Sequence, residues 1–214
     1  MPAIAITGGV SCGKSTVASQ LVSMLLARHA LFSHFSADAC AHQLLRENVA
    51  IREAVLCSFG SSVCDSDGDI SRAKIREAIT DFPEKRVQLE EILHPAIREA
   101  WQSNARAARK LDQFFVAEIP LLFETKAHSH FDVIITAACS PRSQHARLLQ
   151  RNWTTQQIRE ILIAQASPES KVISAHFVIW TDVPIHIVGR QTALLADSLL
   201  HTFAKRSDFD QPSR

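Results

Sequence analysis

Residues Gly8-Gly9-Val10-Ser11-Cys12-Gly13-Lys14-Ser15, with Thr16 behind them, constrain this chain most, because they follow the spacing G-x-x-x-x-G-K-[ST] throughout. Ala3-Ile4-Ala5-Ile6-Thr7 ahead of them reads as a buried strand. Val17, Leu21, Val22, Leu25 and Leu26 after them recur at helical spacing, so an amphipathic helix starts where the loop ends. Strand, glycine-rich loop and helix thus stand in the order a polyphosphate cradle requires. Glycines at 8 and 13 allow backbone conformations that a Cβ obstructs, so successive N–H groups turn inward. Together with the positive end of the helix, those groups make an anion site. The expected ATP contacts are Gly9, Val10, Ser11, Cys12, Gly13, Lys14, Ser15 and Thr16. Lys14 reaches the β- and γ-phosphates as a mobile charge, and the Ser15 hydroxyl is the expected Mg²⁺ ligand.

A chain of 214 residues supports one α/β core with a small insertion. The formal net charge of +1 argues against a general binder of nucleic acid or anionic membrane. No apolar run approaches the roughly 18 residues of a spanning helix. The N-terminus enters the glycine loop at once, without the basic start of a signal peptide. The five cysteines (12, 40, 57, 64 and 139) are scattered and form no C-x-x-C pair, which suits reduced thiols in a cytoplasm.

Further strands are expected at Ala30–Ser36, Gln113–Pro120, Phe131–Ala137 and His176–Trp180, alternating with helices. Together with the first strand they predict a five-stranded parallel sheet flanked by helices. Asp38 and Glu118 each fall just past or at a strand end, on the ligand-bearing edge of an open α/β sheet. Asp38 there is either a proton acceptor for an attacking hydroxyl or the cap of the helix that follows. Glu118 is either a steering group for Mg²⁺ or an amine, or a salt-bridge or capping residue. Asp65-Ser66-Asp67-Gly68-Asp69-Ile70 is not a calcium loop, since Ile70 and Arg76 stand where glycine and glutamate are needed. It reads as a polar turn. The stretch from Ser71 to about Lys110 is helical, with breaks expected near Phe82-Pro83 and His94-Pro95. A helix from Pro141 carries Arg142, and also Arg147 and Arg151 on one face, either a phosphate clamp or a solvated basic face.

These pieces together resemble the dephospho-coenzyme A kinases over nearly the whole chain. Besides the glycine loop, the resemblance rests on Ala37-Asp38 with Ala41-His42, on Asp67-Gly68-Asp69-Ile70-Ser71-Arg72, and on Leu93-His94-Pro95-Ala96-Ile97-Arg98. Glu118-Ile119-Pro120-Leu121-Leu122-Phe123-Glu124, Gln144 with Arg147-Leu148 and Arg151, Ala164-Gln165 and Lys171 extend it. It implies transfer of the ATP γ-phosphate to the ribose 3′-hydroxyl of dephospho-CoA, the last step of coenzyme A synthesis. By position it makes Asp38, Lys14 and Arg147 catalytic, adds Arg147 and Arg151 to the ATP contacts, and lines the acceptor site with Asp38, Arg72, His94, Arg98 and Glu118. The implied organisation is one kinase domain over about 1–206. Its core covers about 1–60, 112–140 and 172–206, with a helical substrate subdomain at about 61–111 and a lid at about 141–171. Residues 207–214 would be a tail.

The chain departs from the family pattern at Ser36 and His176, where an acid is usual, and at Thr181, where Asn is usual. Cys12 replaces a small residue inside the loop, which would make ATP binding sensitive to thiol modification. Two other functions are compatible with the residues: a kinase with another small acceptor, such as a nucleoside monophosphate, and a nucleotide-binding regulator that has lost catalysis.

Overall fold

In the computed structural model, which describes residues 1–209, five strands form one sheet in the order β2-β3-β1-β4-β5. They are β1 (Ala3–Gly8), β2 (Phe32–Ser36), β3 (Phe114–Glu118), β4 (Val133–Ala138) and β5 (Phe177–Trp180). β1, β3 and β4 are buried along their whole length, which is why they read as unbroken apolar runs rather than alternating ones. Parallel pairing sets Ile6 opposite Glu118 and Gly8 opposite Ala137. The glycine loop, Glu118 and the end of β4 therefore leave the sheet along one edge. This agrees with the expected parallel α/β architecture.

The chain divides into two compact units: Met1–Phe35 with the chain from Asn104 onward, and Ser36–Ser103. In the first, α1 (Lys14–Ala27) and α9 (Ile185–Phe209) bury Val17, Leu21, Leu25, Val188 and Leu199 with Ile4, Ile6 and Ile135 of the sheet. Burial of each large aliphatic side chain contributes about 1.5–3 kcal/mol. α9 runs to Phe209, so residues 207–209 of the expected tail are helical; residues 210–214 lie outside the described residues.

The second unit contains α2 (Ala37–Glu47), α3 (Val49–Phe59), α4 (Arg72–Asp81) and most of α5 (Pro83–Lys110). It thus takes in residues 36–60, which the sequence-based boundaries left with the core. Its own core is Leu45, Ile51, Val55, Phe59, Val63, Ile75 and Leu93. The apolar stretch over 39–60 forms two helices, because the Asn48 side chain accepts from the Ile51 N–H and caps α3. The polar turn is as expected: Asp65 Oδ1 accepts the N–H groups of Asp67 and Asp69, and Gly68 has φ +82°.

One expectation fails in α5. Pro95 lies inside a continuous helix rather than at a break. An interior proline costs about 3 kcal/mol. Here that cost is met by packing on both sides of it, since Leu93 is in the core and Ile92, Ala96 and Ile97 pack against it.

The remaining helices are α6 (Pro141–Leu149), α7 (Thr155–Ala164) and α8 (Pro168–Ile173), all in the first unit. Thr154 and Gln157 form a capping box at α7. α6 ends before Arg151, so Arg147 and Arg151 do not share a helix face as expected; Arg151 stands in the turn beyond. Among the described residues no helix is long and apolar enough to cross a membrane.

Candidate active site

The glycine loop is shaped by what surrounds it. At Gly8 (φ +145°) a Cβ would sit 2.2 Å from the Ala137 carbonyl oxygen, so no side chain fits between β1 and β4. Gly13 (φ +84°) precedes α1, and no side chain caps that helix. No capping side chain therefore competes with an anion at the positive end of this 14-residue helix, and no acidic residue opposes one there. Ser11 adopts φ +57°, and its buried Oγ has no hydrogen-bond partner. A left-handed non-glycine residue with an orphaned hydroxyl is the kind of strain that binding sites hold.

Lys14 Nζ donates to the Gly9 carbonyl at 2.9 Å, keeping the ammonium folded over the loop. Ser15 Oγ donates to Glu118 Oε1 at 2.7 Å, and Glu118 is buried at the end of β3. A hydroxyl and a carboxylate side by side are hard oxygen donors that suit Mg²⁺. Among the described residues no group of three or more His, Cys, Asp or Glu could hold a metal alone. Mg²⁺ needs no such cage where phosphates and water supply the other ligands.

Two glutamines grip the loop at Val10. Its N–H donates to Gln165 Oε1 at 3.0 Å, and its carbonyl accepts from Gln144 Nε2 at 2.8 Å. Thr181, directly after β5, makes a second junction. Its hydroxyl donates to the Cys12 carbonyl at 2.9 Å and accepts from Arg147 Nη1 at 3.0 Å, while Arg147 Nη2 donates to the Thr181 carbonyl at 2.6 Å. Asp182 accepts from the Ser140 N–H and the Ser143 hydroxyl at the start of α6, and these bonds hold its carboxyl below the usual range. The β5–α9 turn therefore orients the helix that carries Arg147.

A cavity of about 330 Å³ opens beside this junction, lined by Ser11, Gly13, Thr16, Arg147, Arg151, Thr181, Val183, Ile185 and Val188. Cations and loop backbone meet an aliphatic wall there, a combination that suits phosphate at one end and a flat base at the other. Arg147 is half-buried and Arg151 exposed.

Lys171 is completely buried, 2.9 Å from Glu124 Oε1 and 3.2 Å from the Pro120 carbonyl. Burial alone would raise the Glu124 carboxyl, but its bonds from Lys171 and the Ala166 N–H hold it below the ordinary carboxylate range. This pair ties the α7–α8 connection, next to Gln165, to the segment after β3.

The structure thus brings together Lys14, Ser15, Glu118, Arg147, Arg151 and the loop from Gly9 to Thr16. Asp38, Arg72, His94 and Arg98 belong to the helical unit. Asp38 is exposed in the first turn of α2, and it is not the cap: Ser36 Oγ accepts the Ala39 N–H. Arg72 opens α4, and His94 and Arg98, four residues apart, lie on one face of α5. Residue-level reasoning gave no role to Thr181 as an anchor, to Gln144 and Gln165 as loop clamps, or to Val183, Ile185 and Val188 as a wall. Position directly past a strand end was an available signal for Thr181.

A parallel sheet whose central strand runs through a G-x-x-x-x-G-K-S loop into a helix, with arginines beside the same cavity, defines a P-loop kinase. The family model for dephospho-CoA kinase (CoaE) matches residues 2–186, and the chain belongs to that family. It is 33% identical over 177 residues to a dephospho-CoA kinase of Bdellovibrio bacteriovorus, covering 82% of this chain and 85% of that protein. A dephospho-CoA kinase of Bacillus cereus is 32% identical over 195 residues, covering 90% and 94%. The fold is shared with a solved dephospho-CoA kinase from Campylobacter jejuni, at TM-score 0.66 and 23% identity over 92% of this chain and 96% of that one.

Proposed function

We propose that this protein transfers the γ-phosphoryl group of ATP to the ribose 3′-hydroxyl of dephospho-CoA, giving CoA and ADP. The observation that carries this reading is the family match over residues 2–186, which includes an intact Lys14-Ser15 loop and an uncapped α1 N-terminus. The triphosphate lies along the loop amides, with the base against Val183, Ile185 and Val188. Lys14, released from the Gly9 carbonyl, follows the β- and γ-phosphates, and Arg147 and Arg151 meet the charge that spreads during transfer. Ser15 and Glu118 would hold Mg²⁺, which screens the phosphate charge when bound. Asp38 accepts the proton of the 3′-hydroxyl as its oxygen bonds to the γ-phosphorus. The bond to the β-phosphate oxygen then breaks, and ADP leaves with that electron pair.

Arg72, His94 and Arg98 serve the acceptor, and the helical unit is the acceptor-binding part. Residues 141–171 act as the lid, a reading supported by the Val10–Gln165 and Val10–Gln144 bonds, which tie this segment to the glycine loop. A cytoplasmic location suits the five free cysteines among the described residues.

An acceptor panel tests the assignment. Dephospho-CoA should be phosphorylated far faster than any nucleoside monophosphate at equal concentration. Faster turnover of another acceptor would overturn the choice of substrate while leaving a kinase.

A further inference from the structure

Two cysteines far apart in sequence meet beneath the nucleotide loop. Cys12 lies inside the loop after β1 and Cys139 directly after β4, and their sulfurs are 3.4 Å apart, with the Cys139 thiol donating to Cys12. Both side chains are buried. Parallel pairing of β1 with β4 puts the ends of these strands side by side, so the contact follows from the sheet itself.

We propose that Cys12 and Cys139 are an intramolecular redox pair whose disulfide switches off nucleotide binding. The inference rests on the reading that this loop holds ATP phosphates. A disulfide needs a sulfur–sulfur distance of about 2.05 Å, so the two atoms must approach by roughly 1.3 Å. That movement draws on the loop backbone at Cys12, whose carbonyl is bonded to the Thr181 hydroxyl that also receives Arg147. Closing the bond therefore disturbs the loop amides and the arginine anchor together.

The chemistry suits this order of events. The hydrogen bond from Cys139 lowers the Cys12 thiol to about 7, against the effect of burial and with help from Lys14 and Arg147. A substantial thiolate fraction is thus present at neutral pH. The bond to Cys12, reinforced by burial, pushes Cys139 upward, which keeps it a thiol. With a hydroperoxide as oxidant, the Cys12 thiolate attacks the O–O bond, takes one oxygen as a sulfenic acid, and releases hydroxide or alkoxide. Cys12 then carries no charge, and the upward push it exerted on Cys139 is gone. Cys139 attacks the Cys12 sulfur, the S–S bond forms, the S–O bond breaks, and the departing oxygen leaves as water with the Cys139 proton. Two thiols lose two electrons and the peroxide gains them. Ser11 and Gly13, on either side of Cys12, line the cavity, which gives a small peroxide its approach and predicts that bound ATP slows the reaction.

The test treats the full-length reduced protein with hydrogen peroxide, with and without ATP, then maps linked peptides by mass spectrometry under non-reducing conditions. ATP affinity is measured on the same samples before and after dithiothreitol. The expected result is a Cys12–Cys139 linkage whose stoichiometry tracks a loss of ATP affinity of about tenfold or more, restored by dithiothreitol and slowed by ATP. Cys139→Ser should bind ATP as the reduced wild type does and keep that affinity after peroxide. No linkage, a linkage without loss of affinity, or equal loss in Cys139→Ser would each overturn the proposal. If Cys139→Ser does not fold, the correlation of linkage with affinity in the wild type decides alone. A reduced protein that binds ATP but makes no CoA would instead overturn the proposed function, leaving the redox result to stand.

Discussion

Glu118 and Asp38 are both acids at or just past the carboxyl ends of strands, yet they occupy opposite physical situations. Glu118 closes β3, a strand between two neighbours, and is buried with its carboxylate on the Ser15 hydroxyl. Asp38 follows the edge strand β2, and it is exposed in the first turn of α2, where Ser36 has already supplied the cap. A buried, bonded acid is held in one position beside the Ser15 hydroxyl, which suits a group that would help to hold Mg²⁺. An exposed acid at a helix start, with the capping work done by another residue, is available for chemistry.

The sharpest way to break that contrast is Asp38→Asn. It should lower kcat roughly 10²- to 10⁴-fold while leaving ATP affinity and the melting temperature nearly unchanged. Steady-state kinetics beside thermal melts check this, and unaltered turnover would remove Asp38 from the mechanism.

Glu124 extends the contrast to a third acid. Glu124→Ala leaves the fully buried Lys171 ammonium without its carboxylate and should cost about 3–5 kcal/mol of stability at neutral pH, read by denaturant melts. Because the folded-state carboxyl is held below its usual value, its stabilising contribution is complete above the unfolded range of about 4.3 and is lost as pH falls through the folded value. The gap between wild type and variant should therefore narrow below about pH 4. A gap independent of pH would mean that packing, not the ion pair, holds the segment.

Glu118→Gln should raise the Mg²⁺ concentration needed for half-maximal activity about 10- to 100-fold, as measured by metal titration. Thr181→Val, the mildest change, should weaken ATP binding by about tenfold, since it removes one hydroxyl that joins Cys12 to Arg147. Calorimetry would measure it, and an unchanged affinity would show that the Thr181 and Ser11 carbonyls hold Arg147 without the hydroxyl.

Much of this was legible in the amino-acid order, for identifiable reasons. The strands are short apolar runs bounded by turns, and the glycine loop is a local motif whose spacing encodes its backbone. Asp38 could be placed near a strand end, but whether it caps the helix depends on Ser36, a residue that stands out only as a departure from the family pattern. Thr181 and His176 were likewise visible only as departures. In the folded chain Thr181 anchors Arg147, and His176 Nδ1 accepts the Ile134 N–H across the β4–β5 edge. Contacts such as Val10 with Gln165, or Cys12 with Cys139, join residues more than a hundred positions apart. No periodicity encodes them; they exist only once β1 lies beside β4. The continuity of α5 through Pro95 is hidden for a similar reason, since it depends on the packing of Leu93.

The most direct test is one steady-state reaction with ATP, Mg²⁺ and dephospho-CoA in which CoA and ADP are quantified together. Equal amounts of the two products are expected, with ADP formation dependent on dephospho-CoA. ADP released without CoA, or ATP bound with neither product formed, would contradict the proposed function.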